Sequence, residues 1–260
     1  MLTQRSARVA AAVKLHRQVG RRRARRFLVE GAHLVEAAAE RGLIRDLFVT
    51  ESASRRYAPL LAELNAPLHL VTEQAAKALS DTVTPAGLVA VCDLPTTRLA
   101  EVLAGSPRLV AVAATIGEPG NAGTLIRTAD AMGAGAVIFD GDSVDPYNGK
   151  CVRASAGSIF AVPVVVVAEI LATVGALQAV GLQVLAATVD GELCLEDAEL
   201  GRATAWLFGS ESRGLPEELA GRADHRVQIP MSGGAQSLNV TAAAAICLYQ
   251  SSRAQRRLPG

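Results

Sequence analysis

Leu109–Met132 reads LVAVAATIGEPGNAGTLIRTADAM. Its first six residues form an unbroken run of small and branched apolar side chains, the pattern of a strand buried on both faces. TIGEPGNAG (115–123) is rich in Gly, Pro and Asn and reads as a loop. From about Ala122 to Met132, Leu125, Ile126 and Ala129 return at helical spacing. Strand, loop and helix in that order form the repeating unit of an α/β fold. A polar loop at the carboxyl end of such a strand is the usual place for a ligand. Asn121 reads as the natural cap of this helix, and Arg127 lies among its apolar residues.

The same alternation extends both ways. Downstream come a strand at 136–139, a loop at 140–150, a short helix at Cys151–Ser155 and a strand at Val162–Val167. A helix at 169–180, strands at Leu182–Thr188, Ala205–Phe208 and Val227–Ile229, and a closing helix at Asn239–Arg253 follow. Upstream, helix Ala32–Arg41 stops at Gly42 and leads to strand Ile44–Thr50. Short helix Pro59–Leu64, strand Leu68–Val71, helix Glu73–Ser80 with Thr72 as its cap, and strand Leu88–Cys92 complete a smaller α/β unit ending near Pro95. The expected division is a domain at 1–95, a linker at 96–106 and a second domain at 107–260, with a mostly parallel sheet covered on both faces.

A chain of 260 residues, half apolar and one-fifth charged, excludes a disordered or fibrous protein. Aromatics make up 3%, so the core must be built from Ala, Val, Leu and Ile. Cys92, Cys151, Cys194 and Cys247 are far apart, which supports neither a disulfide framework nor a zinc knuckle and fits a reduced, cytoplasmic compartment. The net charge of +1 conceals an asymmetry. Residues 1–26 hold nine of the 26 basic residues and no acid, leaving 17 against 25 acidic ones, or −8, for the remainder. A basic arm on an acidic body points to a polyanion. The alternatives are a solvated Arg-rich start or an organellar transit peptide. The second is disfavoured because the arm runs straight into a patterned helix.

No signal peptide is read, since residues 1–26 have no long apolar stretch. Ile170–Val189 lacks charge for twenty residues, long enough to span a bilayer. Gly175, Gln178, Gly181 and Gln183 interrupt it, so it reads as a helix, a Gly181 break and a strand. Gly133-Ala134-Gly135 precedes a strand and lacks the third glycine of a dinucleotide loop. Gly149-Lys150 is followed by Cys151, unlike a phosphate loop, and no G-x-S-x-G elbow exists. His16, His33, His69 and His225 are isolated, so no metal is expected.

Two further segments carry polar detail. LFGSESRGLP (207–216) ends a strand in Gly209-x-Glu211-x-x-Gly214. Glycine lets backbone approach a ligand closely, and Glu211 can hold a polar group. IPMSGGAQSLNV (229–240) carries Ser237 and Asn239 into the last helix. One of them caps it; two flanking Leu238 after a Gly-rich loop suggest a ligand loop as well.

Taken in order, N-x-G-x-x-x-R, G-x-E-x-x-G-L and I-P-M-x-G-x-x-x-S-L-N-V resemble the SpoU branch of the SPOUT superfamily of RNA methyltransferases. DPYNGKCVRASAGSIFAVPV (145–164) is similar to that family too. FLVEGAHLVEAAAERG (27–42) and LSDTVTPAGLVAVCDLP (79–95) resemble the N-terminal substrate-binding domain of many members, a small RNA-binding α/β/α sandwich. The resemblance spans residues 20 to 252 or so, and implies a C-terminal α/β domain with a deep trefoil knot, an exception to the rule against knots. It also implies S-adenosylmethionine held in bent form by the knot loops. A homodimer follows, with each active site completed across the interface, and the reaction is methylation of a ribose 2′-hydroxyl. The small-residue face of Val240–Leu248 suits such a dimer.

The same resemblance assigns residues. Arg127 activates the hydroxyl, and Asn121, Glu211, Ser237 and Asn239 match polar active-site positions. Gly209, Ile229, Met231 and Leu238 match cofactor positions, and Arg21, Arg22, Arg23, Arg25 and Arg26 are the expected RNA contacts. Glu118 stands where Asp is commoner, Gly234 where a basic or polar residue is frequent, and Ser210 where Asn is common. The expected substrate is ribosomal (23S) RNA, in a housekeeping or antibiotic-resistance role. The alternatives are tRNA, or a non-catalytic RNA-binding protein with a degenerate domain. Joint retention of the five polar residues argues against the last.

Overall fold

The computed structural model describes residues 1–210 and 212–257. The chain forms two compact units, Met1–Pro95 together with Tyr147–Phe160, and Thr96–Pro146 together with Ala161 onward. A stretch of the later sequence thus belongs to the first unit.

In the first unit, β1 (Arg26–Glu30), β2 (Ile44–Thr50), β3 (Leu68–Val71) and β4 (Leu88–Asp93) form a sheet in the order β1-β4-β2-β3. β4 runs antiparallel to both neighbours, and β3 is parallel to β2. Thr72 caps helix Glu73–Leu79 as expected, accepting the Ala75 N–H at 3.2 Å. β1 was not expected. It is five residues long, its alternation rests on buried Phe27 and Val29, and it follows the arginine run without a turn signal.

The basic arm is itself folded, with helices Ala7–Val13 and Gln18–Ala24. Arg22, Arg23, Arg25 and Arg26 are exposed, but Arg21 is buried. Its guanidinium donates to the Leu15 and His16 carbonyls, each at 2.9 Å. The sequence reading took all five arginines as RNA contacts; Arg21 is instead buried and closes the turn between the two helices. Arg26 lies 3.7 Å from Asp93, which also accepts from Arg45 Nε at 2.6 Å.

The Arg45 guanidinium, hydrogen-bonded to Asp93, holds its carboxyl below the usual carboxylate range, with Arg26 adding to the effect. A carboxylate with a depressed folded-state pKa contributes stability above its unfolded pKa and loses that contribution as pH falls through the folded value. Asp93→Asn is therefore expected to be less stable than the parent near pH 7. The gap should close on acidification below about pH 4, the ordinary Asp value. Denaturant unfolding at several pH values measures it.

Tyr147–Phe160 packs within this same unit. Phe27 meets the Tyr147 ring edge-on at 5.1 Å and the Phe160 ring at 6.2 Å between centroids. Asn148 caps helix Gly149–Ala154, and Arg153 pairs with Asp81.

The second unit holds β5 (Leu109–Ala113), β6 (Ala136–Asp140), β7 (Val164–Val167), β8 (Gln183–Ala187), β9 (Leu193–Cys194), β10 (Thr204–Phe208) and β11 (His225–Gln228). They form one seven-stranded sheet in the order β7-β6-β5-β10-β8-β11-β9, and every pairing is parallel. β5, β6 and β10 are buried at every position, because helices cover both faces of such a sheet. Their apolar runs lack alternation for the same reason. The two-residue β9 is too short to leave a sequence signal.

Ile170–Ala179 is a helix, Gly181 turns the chain at φ 89°, and β8 follows, as read from the sequence. Among the described residues no helix is long and apolar enough to cross a membrane. The closing helix Val240–Arg257 is tied to the sheet by Trp206, whose indole N–H donates to Ser251 Oγ at 2.9 Å.

Candidate functional site

In the sheet, β10, β8 and β11 are neighbours, and the loops leaving their carboxyl ends enclose a cleft of about 480 Å³. That is the size of a small-ligand site, in the place α/β sheets put one. Thr188, Val189 and Asp190 line it after β8. Gly209, Ser210, Arg213, Gly214 and Leu215 follow β10. Ile229, Met231, Gln236, Ser237 and Leu238 come from the loop after β11.

These loops are fixed by close backbone contact. A Cβ on Gly209 would overlap the Gly214 carbonyl group and the Leu215 nitrogen. Gly214 sits at φ 65° and donates its N–H to the Ser210 carbonyl at 2.8 Å, so the loop doubles back on itself. Glu192 accepts from the Arg226 backbone N–H at 2.9 Å and from its Nε at 3.1 Å, joining the loop after β8 to β11. Those bonds, the backbone one first, hold the Glu192 carboxyl below the usual range.

The structure gathers Gly209, Ile229, Met231, Leu238 and Ser237 at this one cleft. Asn239 stands just beyond it, its Oδ1 accepting from the Thr241 N–H at 2.9 Å and the Thr241 hydroxyl at 2.6 Å. Of Ser237 and Asn239, Asn239 is thus the helix cap. Asn121 and Arg127 are not among the cleft's lining, and Glu211 lies outside the described residues. Sequence reading missed Thr188, Asp190 and Arg213. The carboxyl end of the strand it placed at 182–188 is the signal that could have found the first.

Asn121 is not the cap expected of it. The helix runs Pro119–Ala131, and Glu118 caps it, accepting the Gly120 N–H at 3.2 Å. Pro119 at the first position needs no N–H partner and presets the helical φ, so the helix starts earlier and takes Asn121 into its first turn. Arg127 is exposed on this helix.

The loop leading into this helix hangs on Asp140, a buried carboxylate at the end of β6. Asp140 accepts from Thr115 N at 3.0 Å and Ser143 N at 2.8 Å, and Ser143 Oγ accepts from Ile116 N at 3.0 Å. Thr115 is held at φ 56°, which a non-glycine residue adopts only under constraint. Asp140→Ala leaves two amides without their acceptor and is expected to destabilise the protein by about 2–4 kcal/mol in urea unfolding. Asp140→Asn keeps one acceptor oxygen and should lose less.

The cleft suits the cofactor that the sequence resemblance implies. Phe208, Leu215, Val227 and Ile229 offer an apolar wall for a purine, and Gly209 brings backbone close to whatever lies there. Among the described residues, the buried hydroxyls of Thr188 and Ser210 find no hydrogen-bond partner. A ligand that is part apolar ring and part hydrogen-bonding chain fits this mixture. No group of three or more His, Cys, Asp or Glu able to hold a metal occurs among the described residues.

Comparison with known proteins agrees. The SpoU rRNA Methylase family model matches residues 108–249, and that of the MRM3-like substrate binding domain matches 6–90. The chain is 33% identical to the 23S rRNA (guanosine(2553)-2′-O)-methyltransferase RlmP of Bacillus subtilis, over 91% of this chain and 92% of that protein. It is also 33% identical to the 23S rRNA (uridine(2479)-2′-O)-methyltransferase of Streptomyces viridochromogenes, over 90% and 84%. The crystal structure of the SpoU methyltransferase AviRb from S. viridochromogenes in complex with AdoMet superimposes with a TM-score of 0.89 at 30% identity, covering 97% of this chain and 99% of that one. The A. aeolicus TrmH/SpoU tRNA modifying enzyme gives a TM-score of 0.52 at 25% identity, covering 61% and 83%. A family match over more than half the chain, with relatives aligned along nearly all of it, leads to one conclusion: this chain belongs to the SpoU rRNA methylase family.

Proposed function

We propose that this chain, an S-adenosyl-L-methionine-dependent RNA ribose 2′-O-methyltransferase, acts on 23S rRNA in the cytoplasm as a homodimer. The observation that carries the substrate reading is coverage. Two 23S rRNA enzymes align with at least 90% of this chain, its N-terminal unit included, whereas the tRNA-modifying neighbour covers 61%. Those two relatives methylate different nucleotides at equal identity, so likeness ranks neither target above the other.

When bound, S-adenosylmethionine supplies an activated methyl group. Gly209, Ile229, Met231 and Leu238 hold it, largely through backbone and apolar contact. Arg127 orients the ribose hydroxyl and stabilises negative charge developing on its oxygen. Asn121, Glu211, Ser237 and Asn239 are assigned to positioning the nucleotide. Arg127 lies outside the cleft's lining in its own chain, which favours a site completed by a second copy. Exposed Ile246 and Tyr249 on the closing helix give that copy an apolar face. The knot implied by family membership is part of the same reading.

Mapping 2′-O-methyl groups in RNA from cells with and without the gene tests the substrate. One lost site in 23S rRNA is expected; a loss confined to tRNA would overturn the assignment. Exposed Arg22, Arg23 and Arg25 are the proposed phosphate contacts. Changing all three to Gln should flatten the logarithmic salt dependence of RNA binding by about 2–3, at 0.7–0.9 per phosphate released.

A further inference from the structure

The first unit contains a cavity of its own, about 240 Å³, lined by residues of that unit alone. Leu28 and Glu30 border it from β1, two residues apart and therefore on one face of the sheet. Leu15 and Leu79 complete its apolar side, and Asp81 and Arg153 bring opposite charges to it. An empty packing defect is apolar, whereas this cavity has charged walls. The Glu30 carboxylate is engaged within the protein. It accepts from the Ser80 and Thr82 hydroxyls at 2.7 and 3.3 Å and from the Ala86 N–H at 2.9 Å, which fixes the loop carrying Asp81. Asp81 accepts from Arg153, and these side chains are 36% and 32% exposed, so a ligand can reach both. Gly149 makes room for the pair: a Cβ there would overlap the Asp81 carboxylate.

We infer that this cavity binds an unstacked guanine base of the RNA, an inference that rests on the RNA substrate reading above. Its volume falls below the roughly 300–1,000 Å³ of pockets for drug-sized ligands, which suits a single planar base. Proteins that read RNA sequence take up splayed-out bases and hydrogen-bond their edges. Leu15, Leu28 and Leu79 offer contact to the base's apolar faces. At its edge, a carboxylate beside a guanidinium sets acceptor oxygens next to N–H donors. Guanine is the complement, because its N1–H and 2-amino group are neighbouring donors with the O6 acceptor beside them. No other standard base has two adjacent donor nitrogens next to a carbonyl. The setting also suits a nucleic acid. His16, on the cavity wall, is exposed, as are Arg17, Arg22, Arg23 and Arg25 after it. The arm that attracts phosphates thus forms part of the wall.

Fluorescence anisotropy of the full chain tests this, with short oligouridines carrying one central guanosine, adenosine, cytidine or inosine. The parent is expected to bind the guanosine oligonucleotide about 10-fold more tightly than oligouridine, the discrimination of one good bidentate pair. Inosine lacks the 2-amino group and should lose most of that advantage, a comparison that needs no variant. Asp81→Asn puts a donor where an acceptor is needed and should abolish the preference. Its sign is informative. Removing a negative charge strengthens RNA binding where only phosphates are read, so weaker binding of the guanosine oligonucleotide marks a base contact. Changing Arg22, Arg23 and Arg25 to Gln should instead weaken all the oligonucleotides alike. A parent that binds a 23S rRNA transcript yet shows no preference for guanosine would overturn the inference. So would a preference for another base, or one unchanged in Asp81→Asn. A parent that binds neither the transcript nor the oligonucleotides would instead overturn the RNA reading.

Discussion

Arg127→Ala is expected to lower the single-turnover rate of methyl transfer at least ~100-fold, the lower range for a group that positions a proton transfer or stabilises developing charge. Stability should stay within about 0.5 kcal/mol of the parent, because the side chain is exposed. Affinity for S-adenosylmethionine should hardly change, since Arg127 is not among the residues lining the cleft. Arg127→Lys should not restore the rate: a point charge on a flexible stem cannot reproduce a planar fork of donors. Rapid-quench methylation of 23S rRNA fragments, with calorimetry in parallel, separates the two quantities. A rate near that of the parent in the alanine variant would show Arg127 to be an ordinary solvated side chain.

Gly209→Ala is expected to abolish measurable cofactor binding at concentrations that saturate the parent. The added methyl would overlap the backbone of Gly214 and Leu215, and no side-chain rotation relieves a clash with main chain. Either the loop after β10 opens or β10 shifts, and both deform the wall shared with Ile229 and Leu238. Overpacking of this kind costs about 1–3 kcal/mol, visible in denaturant unfolding. Gly214→Ala is the informative contrast. It has open space around its Cβ but sits at φ 65°, so it should lose about 1–2 kcal/mol through backbone strain. Binding should survive in that variant.

The parallel sheet was legible because its strands are buried on both faces. LVAVA, AVIF and AWLF are runs that no half-exposed strand would carry, and the structure buries all three at interior positions of the sheet. The three loop motifs were legible from Gly, Asn and Ser at strand ends. Their meeting was not. Gly209, Ile229 and Leu238 share a cleft because the sheet order sets β10, β8 and β11 side by side, and pattern along a chain carries no information on the order of parallel strands. β1 escaped notice because five residues behind an arginine run look like more of the arm. Arg21 misled for a related reason. Five similar arginines are indistinguishable in sequence, whereas the turn at Leu15 and His16 needs a donor at one of them.

Tyr147–Phe160 lies inside the stretch matched by the methylase model, yet folds with the first unit. A genetic crossover near Pro95 would therefore divide a single core between two parents. Phe27 would come from one, and the Tyr147 and Phe160 rings it meets from the other. Chimeras joined at that point should express poorly unless residues 147–160 travel with the N-terminal donor. Among natural sequences, replacements at Phe27, Tyr147 and Phe160 should occur together. Inheritance in this protein would then follow a discontinuous piece of chain, with 147–160 changing in step with a region more than fifty residues upstream.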